Sequence, residues 1–142
     1  MATITATLTE GTITNITNGR HHWTGDEPPE ANGTDTGPNP YELLLGSVAA
    51  CTCITLSLYS RHKGIQLDSV QVSMVNDRIH ADDCKDCDES ATGYIDRITS
   101  DIVIRGAFDD AQRARLAQVA VRCPVHKTLE RGVTFEENVV VE

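Results

Sequence analysis

Two cysteines stand in settings that favour opposite roles in thiol chemistry. Cys51 ends the apolar run Leu43-Leu44-Leu45-Gly46-Ser47-Val48-Ala49-Ala50-Cys51, and Cys123 lies in Arg122-Cys123-Pro124-Val125-His126. The first reads as a thiol sealed into a long helix. The second sits at a helix start beside cationic side chains, where exposed amides and the helix dipole stabilise a thiolate. A peroxide is reduced when a thiolate attacks one of its oxygens and the resulting sulfenic acid condenses with a second thiol. If the fold brings Cys51 and Cys123 together, they form such a peroxidatic and resolving couple. Cys53 points about 200° around the helix from Cys51 and is expected as a small core residue.

A second cluster lies in His80-Ala81-Asp82-Asp83-Cys84-Lys85-Asp86-Cys87. Its Cys-x-x-Cys with a nearby histidine offers zinc-ligating side chains at His80, Cys84 and Cys87, although no fourth ligand is evident. The same spacing suits a surface disulfide or dithiol, or an unreactive loop, and all three readings stay open.

Composition narrows the classes of function. The formal net charge of −9, from 21 acidic against 12 basic residues, opposes attraction to phosphate backbones, so nucleic acid is not an expected partner. Aromatic residues make up 4% of the chain, too few for stacking platforms. Five cysteines cannot all pair within one chain, which argues against a secreted disulfide framework and for a reducing, cytoplasmic setting. The N-terminus alternates polar and apolar residues like a strand rather than a signal peptide. No apolar run approaches the roughly 20 residues that span a bilayer, so no membrane association is expected.

The 142 residues suit a single domain, 1–142, built from elements that position the cysteines. Segments around 3–8 and 12–18, then Arg20-His21-His22-Trp23 beyond the Asn18-Gly19 turn, read as an antiparallel meander. Residues 26–39, rich in Pro, Gly and acidic side chains, read as a surface loop. Asn39 caps a helix that begins at Pro40 and ends near Lys63 before Gly64. Its apolar residues cover most of its circumference, the mark of a central helix. Leu67–Ile79 and Tyr94–Ile104 alternate as a long hairpin. Asp109 caps a second helix, Pro124 opens a short third that Gly132 stops, and 133–141 reads as a closing strand. The order is α+β.

Gly37-Pro38-Asn39-Pro40-Tyr41-Glu42-Leu43-Leu44, then Ala49-Ala50-Cys51, then Cys123-Pro124 resemble the OsmC/Ohr family of osmotically inducible and organic-hydroperoxide-resistance proteins. The resemblance implies an intertwined homodimer in which antiparallel sheets from both chains wrap two long central helices. It implies reduction of organic hydroperoxides, with Cys51 attacking, Cys123 resolving, a thiol reductant recycling the pair and no cofactor required. It also implies an arginine from the N-terminal meander beside the attacking thiolate, a place that Arg20 occupies here. The family peroxidases set a glutamate directly after Asn-Pro, where this chain has Tyr41. Glu42, one residue on, projects close to half a turn away from Cys51 and reads instead as a favourable charge at the helix start. The rival reading keeps the fold without the catalysis, as a binding or redox- and metal-sensing protein that uses the Cys84/Cys87 loop.

Overall fold

The structure, a computed structural model, describes residues 1–85, 87, 90 and 92–142. Asp86, Asp88 and Glu89 of the acidic run lie outside the described residues. The chain gathers into two compact units, Met1–Gly46 with Asn76–Arg97, and Ser47–Val75 with Ile98–Glu142.

In the first unit, β1 (Thr5–Glu10), β2 (Ile13–Thr17) and β3 (His22–Gly25) form an antiparallel sheet in the order β1-β2-β3. Register runs from Thr5 opposite Thr17 to Leu8 opposite Thr14, and from Thr14 opposite Gly25 to Thr17 opposite His22. The β2–β3 turn follows from Asn18, whose Oδ1 accepts the amides of Arg20 at 3.0 Å and His21 at 2.8 Å. Gly19 takes the left-handed φ of 87° that such a turn demands.

The loop after β3 is anchored by one carboxylate. Asp26 is only 2% exposed. Its oxygens accept the hydroxyls of Thr12 at 2.5 Å, Thr34 at 2.6 Å and Thr36 at 2.9 Å, together with the amides of Glu27, Thr34 and Thr36. The Thr12 hydroxyl foremost, then that of Thr34 and the Thr36 amide, hold this carboxyl far below the usual carboxylate range. The amide of Asp26 in turn donates to the Pro38 carbonyl at 3.2 Å, and a Cβ on Gly37 would run into the Thr24 carbonyl. The loop therefore lies tightly on β3, and its far end delivers Asn39 and Pro40 to the start of the long helix.

That helix, α1 (Pro40–Lys63), matches the expected span. Arg61, His62 and Lys63 occupy its last turn, and Gly64 ends it at φ 65° with the Ile65 amide reaching back to the Ser60 carbonyl at 2.9 Å. Of its 24 residues only Val48, Thr52, Leu56 and Ser60 are buried, one stripe at a spacing of four. Ile54 and Leu58 on other faces remain 57% and 59% exposed. The expectation that no apolar run is long enough to span a bilayer needs correction. No charge falls between Glu42 and Arg61, and by length and composition α1 passes as a span, with mean hydropathy 1.7.

β4 (Ser69–His80) and β5 (Tyr94–Arg105) pair as the expected hairpin. Within the first unit its outer end is closed by the Ala81 amide on the Gly93 carbonyl at 2.7 Å, by Arg97 bidentate on Asp77 at 3.0 and 2.6 Å, and by Arg78 on Asp96 at 3.5 Å. Within the second unit, Leu56 of α1 packs with Leu116, Val119 and Ala120 of α2 (Asp110–Ala120). Around them lie Tyr59, Ile65, Leu67, Val70, Ile102, Ile104 and Phe108. Asp109 caps α2 through a reciprocal box with Gln112, at 2.7 and 3.0 Å. α3 (Pro124–Arg131) ends at Gly132, φ 77°. The expected closing strand over 133–141 is absent: the segment forms no ladder, and Val133, Phe135, Val139, Val140 and Val141 are exposed. A strand exists only when another edge satisfies its amides and carbonyls, and alternation alone does not supply that edge.

Because the folded carboxyl of Asp26 titrates below its unfolded value, its stabilisation is fully present above the unfolded value of about 4 and is lost as pH falls towards the folded one. Asp26→Asn, which puts an amide donor among donors, is expected to lower the melting temperature by several degrees at neutral pH. Thermal denaturation from pH 7 down to pH 3 checks this, because the gap from the wild type should shrink as the pH falls below about 4.

Candidate functional site

Helix α3 begins at Cys123, and this thiol occupies the place where a serine or aspartate usually caps. Its sulfur accepts the His126 amide at 3.3 Å, with Pro124 at the first helical position, where a missing amide hydrogen costs nothing. The side chain is fully buried. On its other side the sulfur faces the Val48 carbonyl of α1 at 4.0 Å, the long reach of a thiol donor. The same carbonyl takes the Thr52 hydroxyl at 3.1 Å.

Val48 precedes Cys51 by three residues, so the two share one turn of α1. The structure thus places Cys123 against the Val48 turn of α1, within the second unit. Cys51 and Cys53 are both half-buried free thiols on either side of the buried Thr52. The His126 imidazole is directed along its own helix to Glu130, 3.3 Å away.

Arg20 lies exposed on the β2–β3 turn of the first unit, whereas Cys51 lies in the second. At the start of α1, Tyr41 is 54% exposed. Glu42 has a defined task there. Its Oε2 accepts the Asn39 amide at 2.8 Å while Asn39 Oδ1 accepts the Glu42 amide at 2.9 Å, a full capping box. The sequence reading gave Glu42 only a charge at the helix start; the Asn-x-x-Glu spacing was the signal for the reciprocal pair.

At the hairpin tip, Cys84 and Cys87 are joined as a disulfide. In this oxidised state neither sulfur is a thiolate for zinc. His80 Nδ1 is engaged with Asp82, capping a short 3-10 turn at 81–83. No group of three or more His, Cys, Asp and Glu side chains among the described residues is arranged to hold a metal. Sequence reasoning had no signal for Asp26, whose donors are scattered along the chain. It also had none for an open apolar cavity of about 370 Å³ in the second unit, lined by Ile102, Phe108, Leu116, Ala120 and Val121, with Arg113 at its wall.

A family model described as OsmC-like protein matches residues 33–138. No match is found among curated proteins. Among solved structures, the OsmC-like protein of Mycoplasma pneumoniae superposes with a TM-score of 0.69 at 23% identity, over 92% of this chain and 87% of that one. An organic hydroperoxide resistance protein OsmC from Legionella pneumophila gives 0.61 at 18% identity, over 89% and 87%. The organic hydroperoxide resistance protein OhrB of Bacillus subtilis gives 0.56 at 23% identity, over 89% and 88%. These likenesses, all below 25% identity, are of fold.

Glu42→Ala removes half of the capping box and is expected to cost about 1 kcal/mol of stability. Glu42→Gln, which still reaches the Asn39 amide, should lose less. Denaturant titration of the two variants against the wild type measures both.

Proposed function

Because the chain belongs to the OsmC-like protein family, we propose that it is a soluble, cytoplasmic thiol peroxidase that reduces organic hydroperoxides, folded as one domain over 1–142. Cys51 is the attacking thiol. Its thiolate forms a bond to one peroxide oxygen, the O–O bond breaks, and the alcohol leaves after taking a proton. The sulfenic acid on Cys51 then condenses with Cys123, releasing water and leaving a disulfide. A thiol reductant returns two electrons and restores both thiols. The observation that carries this reading is the Cys123 sulfur held at the N-terminus of α3 against the Val48 turn of α1. Arg20 is assigned to the mechanism on the family resemblance, as the arginine of the N-terminal meander.

The protein works as a homodimer in which the uncovered faces of α1 and the exposed apolar residues of 133–141 meet a second copy. The tally of exposed Ile54, Leu58, Phe135 and Val140 supports this, since apolar surface left in water seeks a partner. A second reading is favoured by Tyr41 and by the commitment of Glu42 to its cap: an OsmC-fold protein without peroxidase activity, sensing redox state through the Cys84/Cys87 loop.

Cys51→Ser is expected to lower hydroperoxide consumption by about 10³-fold or more, to background. Cys123→Ser keeps an oxygen at the cap of α3 and should fold; it should complete one turnover and stall with a sulfenic acid on Cys51. Arg20→Ala should slow hydroperoxide consumption. Full turnover by Cys51→Ser would remove this mechanism, and a wild type inert to hydroperoxides would leave the sensing reading.

Sedimentation equilibrium at micromolar concentration is expected to give twice the mass of one chain. A folded monomer there would refute the dimer.

A further inference from the structure

The hairpin tip carries a second pair of cysteines that the peroxide cycle leaves unused. We infer that Cys84 and Cys87 form a separate redox centre, which accepts two electrons from a dithiol by thiol–disulfide exchange. This does not rest on the peroxidase reading.

The disulfide is poorly placed to be a staple. It joins residues three apart in one turn, and so short a ring removes the least freedom from the unfolded chain. The chain on either side of it is already held without it. His80 caps the 3-10 turn at 81–83, the Cys84 amide donates to the Ala81 carbonyl at 3.1 Å, and the Ala81 amide donates to the Gly93 carbonyl at 2.7 Å. Just below, Arg97 on Asp77 and Arg78 on Asp96 tie the two strands. Among the described residues, the strands on either side of the bridge are tied by these contacts without it.

The same disulfide is well placed to react. Neither cysteine is buried, in contrast to Cys123, and both line an open cavity of about 530 Å³ with Ile79, Asp83, Lys85 and Arg97. An attacking thiolate can therefore approach. Lys85, next to Cys84, offers positive charge to the thiolate that leaves, while Arg97 is engaged with Asp77. In the exchange the incoming thiolate bonds to one sulfur and the S–S bond breaks. The other cysteine departs as a thiolate and takes a proton. A second thiol on the same reductant then attacks the mixed disulfide, leaving both cysteines reduced and the reductant as a cyclic disulfide. That second step is why the substrate is a dithiol. Charge selects further: Asp82 and Asp83 flank the site on a chain of net charge −9, which disfavours anionic monothiols such as glutathione.

The experiment exposes the native protein, wild type and Cys51→Ser, to dithiothreitol or to glutathione at equal thiol concentration. Acid quench, alkylation and peptide mass mapping then read the redox state of Cys84 and Cys87. The expected result is a two-electron opening by dithiothreitol in the folded state, equal in both proteins, re-forming with oxidised dithiothreitol, and at least about tenfold slower with glutathione. Lys85→Gln should slow the opening by about two- to fivefold. A melting temperature for the Cys84→Ser, Cys87→Ser double variant within a few degrees of the wild type is also expected. The inference is overturned if the disulfide stays closed until the protein melts, if the two thiols never re-form it, or if the double variant loses about ten degrees or more, the behaviour of a structural bridge. An inactive peroxidase with a readily opened Cys84–Cys87 bridge would sink the peroxidase reading and leave this one standing.

Discussion

The fold turns on a helix that is apolar on more sides than this chain covers. α1 has no charge between Glu42 and Arg61, yet only its Val48, Thr52, Leu56, Ser60 stripe is buried. Burial of apolar surface is the main favourable term in folding, so the covered stripe dictates what packs there. Leu56 meets α2, and Val48 meets Cys123. On its remaining faces, Ile54 and Leu58 stay exposed.

Cys123 takes its position from the same stripe. A thiol at the cap of α3 is held from one side by a backbone amide and from the other by a carbonyl of α1, so its position is fixed by main chain rather than by flexible side chains. A cap made of sulfur is weaker than one made of oxygen. The start of α1 is secured differently. The capping box of Asn39 and Glu42 closes its first turn, and the Asp26 loop delivers the chain to it.

What could be read from the chain was what is decided locally. Asn39-Pro40, Gly64, Asp109, Pro124 and Gly132 marked the helix ends because caps and stops act within one turn. The β4–β5 hairpin was legible from its alternation. The Asp26 cage was not, since its threonines lie 8, 10 and 14 residues away and no periodicity links them. Nor was the meeting of Cys123 with a carbonyl 75 residues earlier, though Pro124 did announce the helix start. The strand expected over 133–141 failed because its pattern describes one half of a pairing. Cys84 and Cys87 were recognisable as a pair, but whether such a pair holds metal or a covalent bond depends on oxidation state, which spacing does not encode.

The cage around Asp26 has a consequence for how the protein meets changes in ionic strength. The donors named there are hydroxyls and amides, with no cation among them. Dissolved ions screen charge against charge across solvent, as they do at the exposed Arg78–Asp96 and Arg97–Asp77 contacts, but they have little hold over a desolvated carboxylate wrapped in short dipolar contacts. Rising salt therefore loosens the far end of the hairpin while the loop that leads into α1 keeps its grip. The chain meets salt with one compliant end and one indifferent end within the same unit.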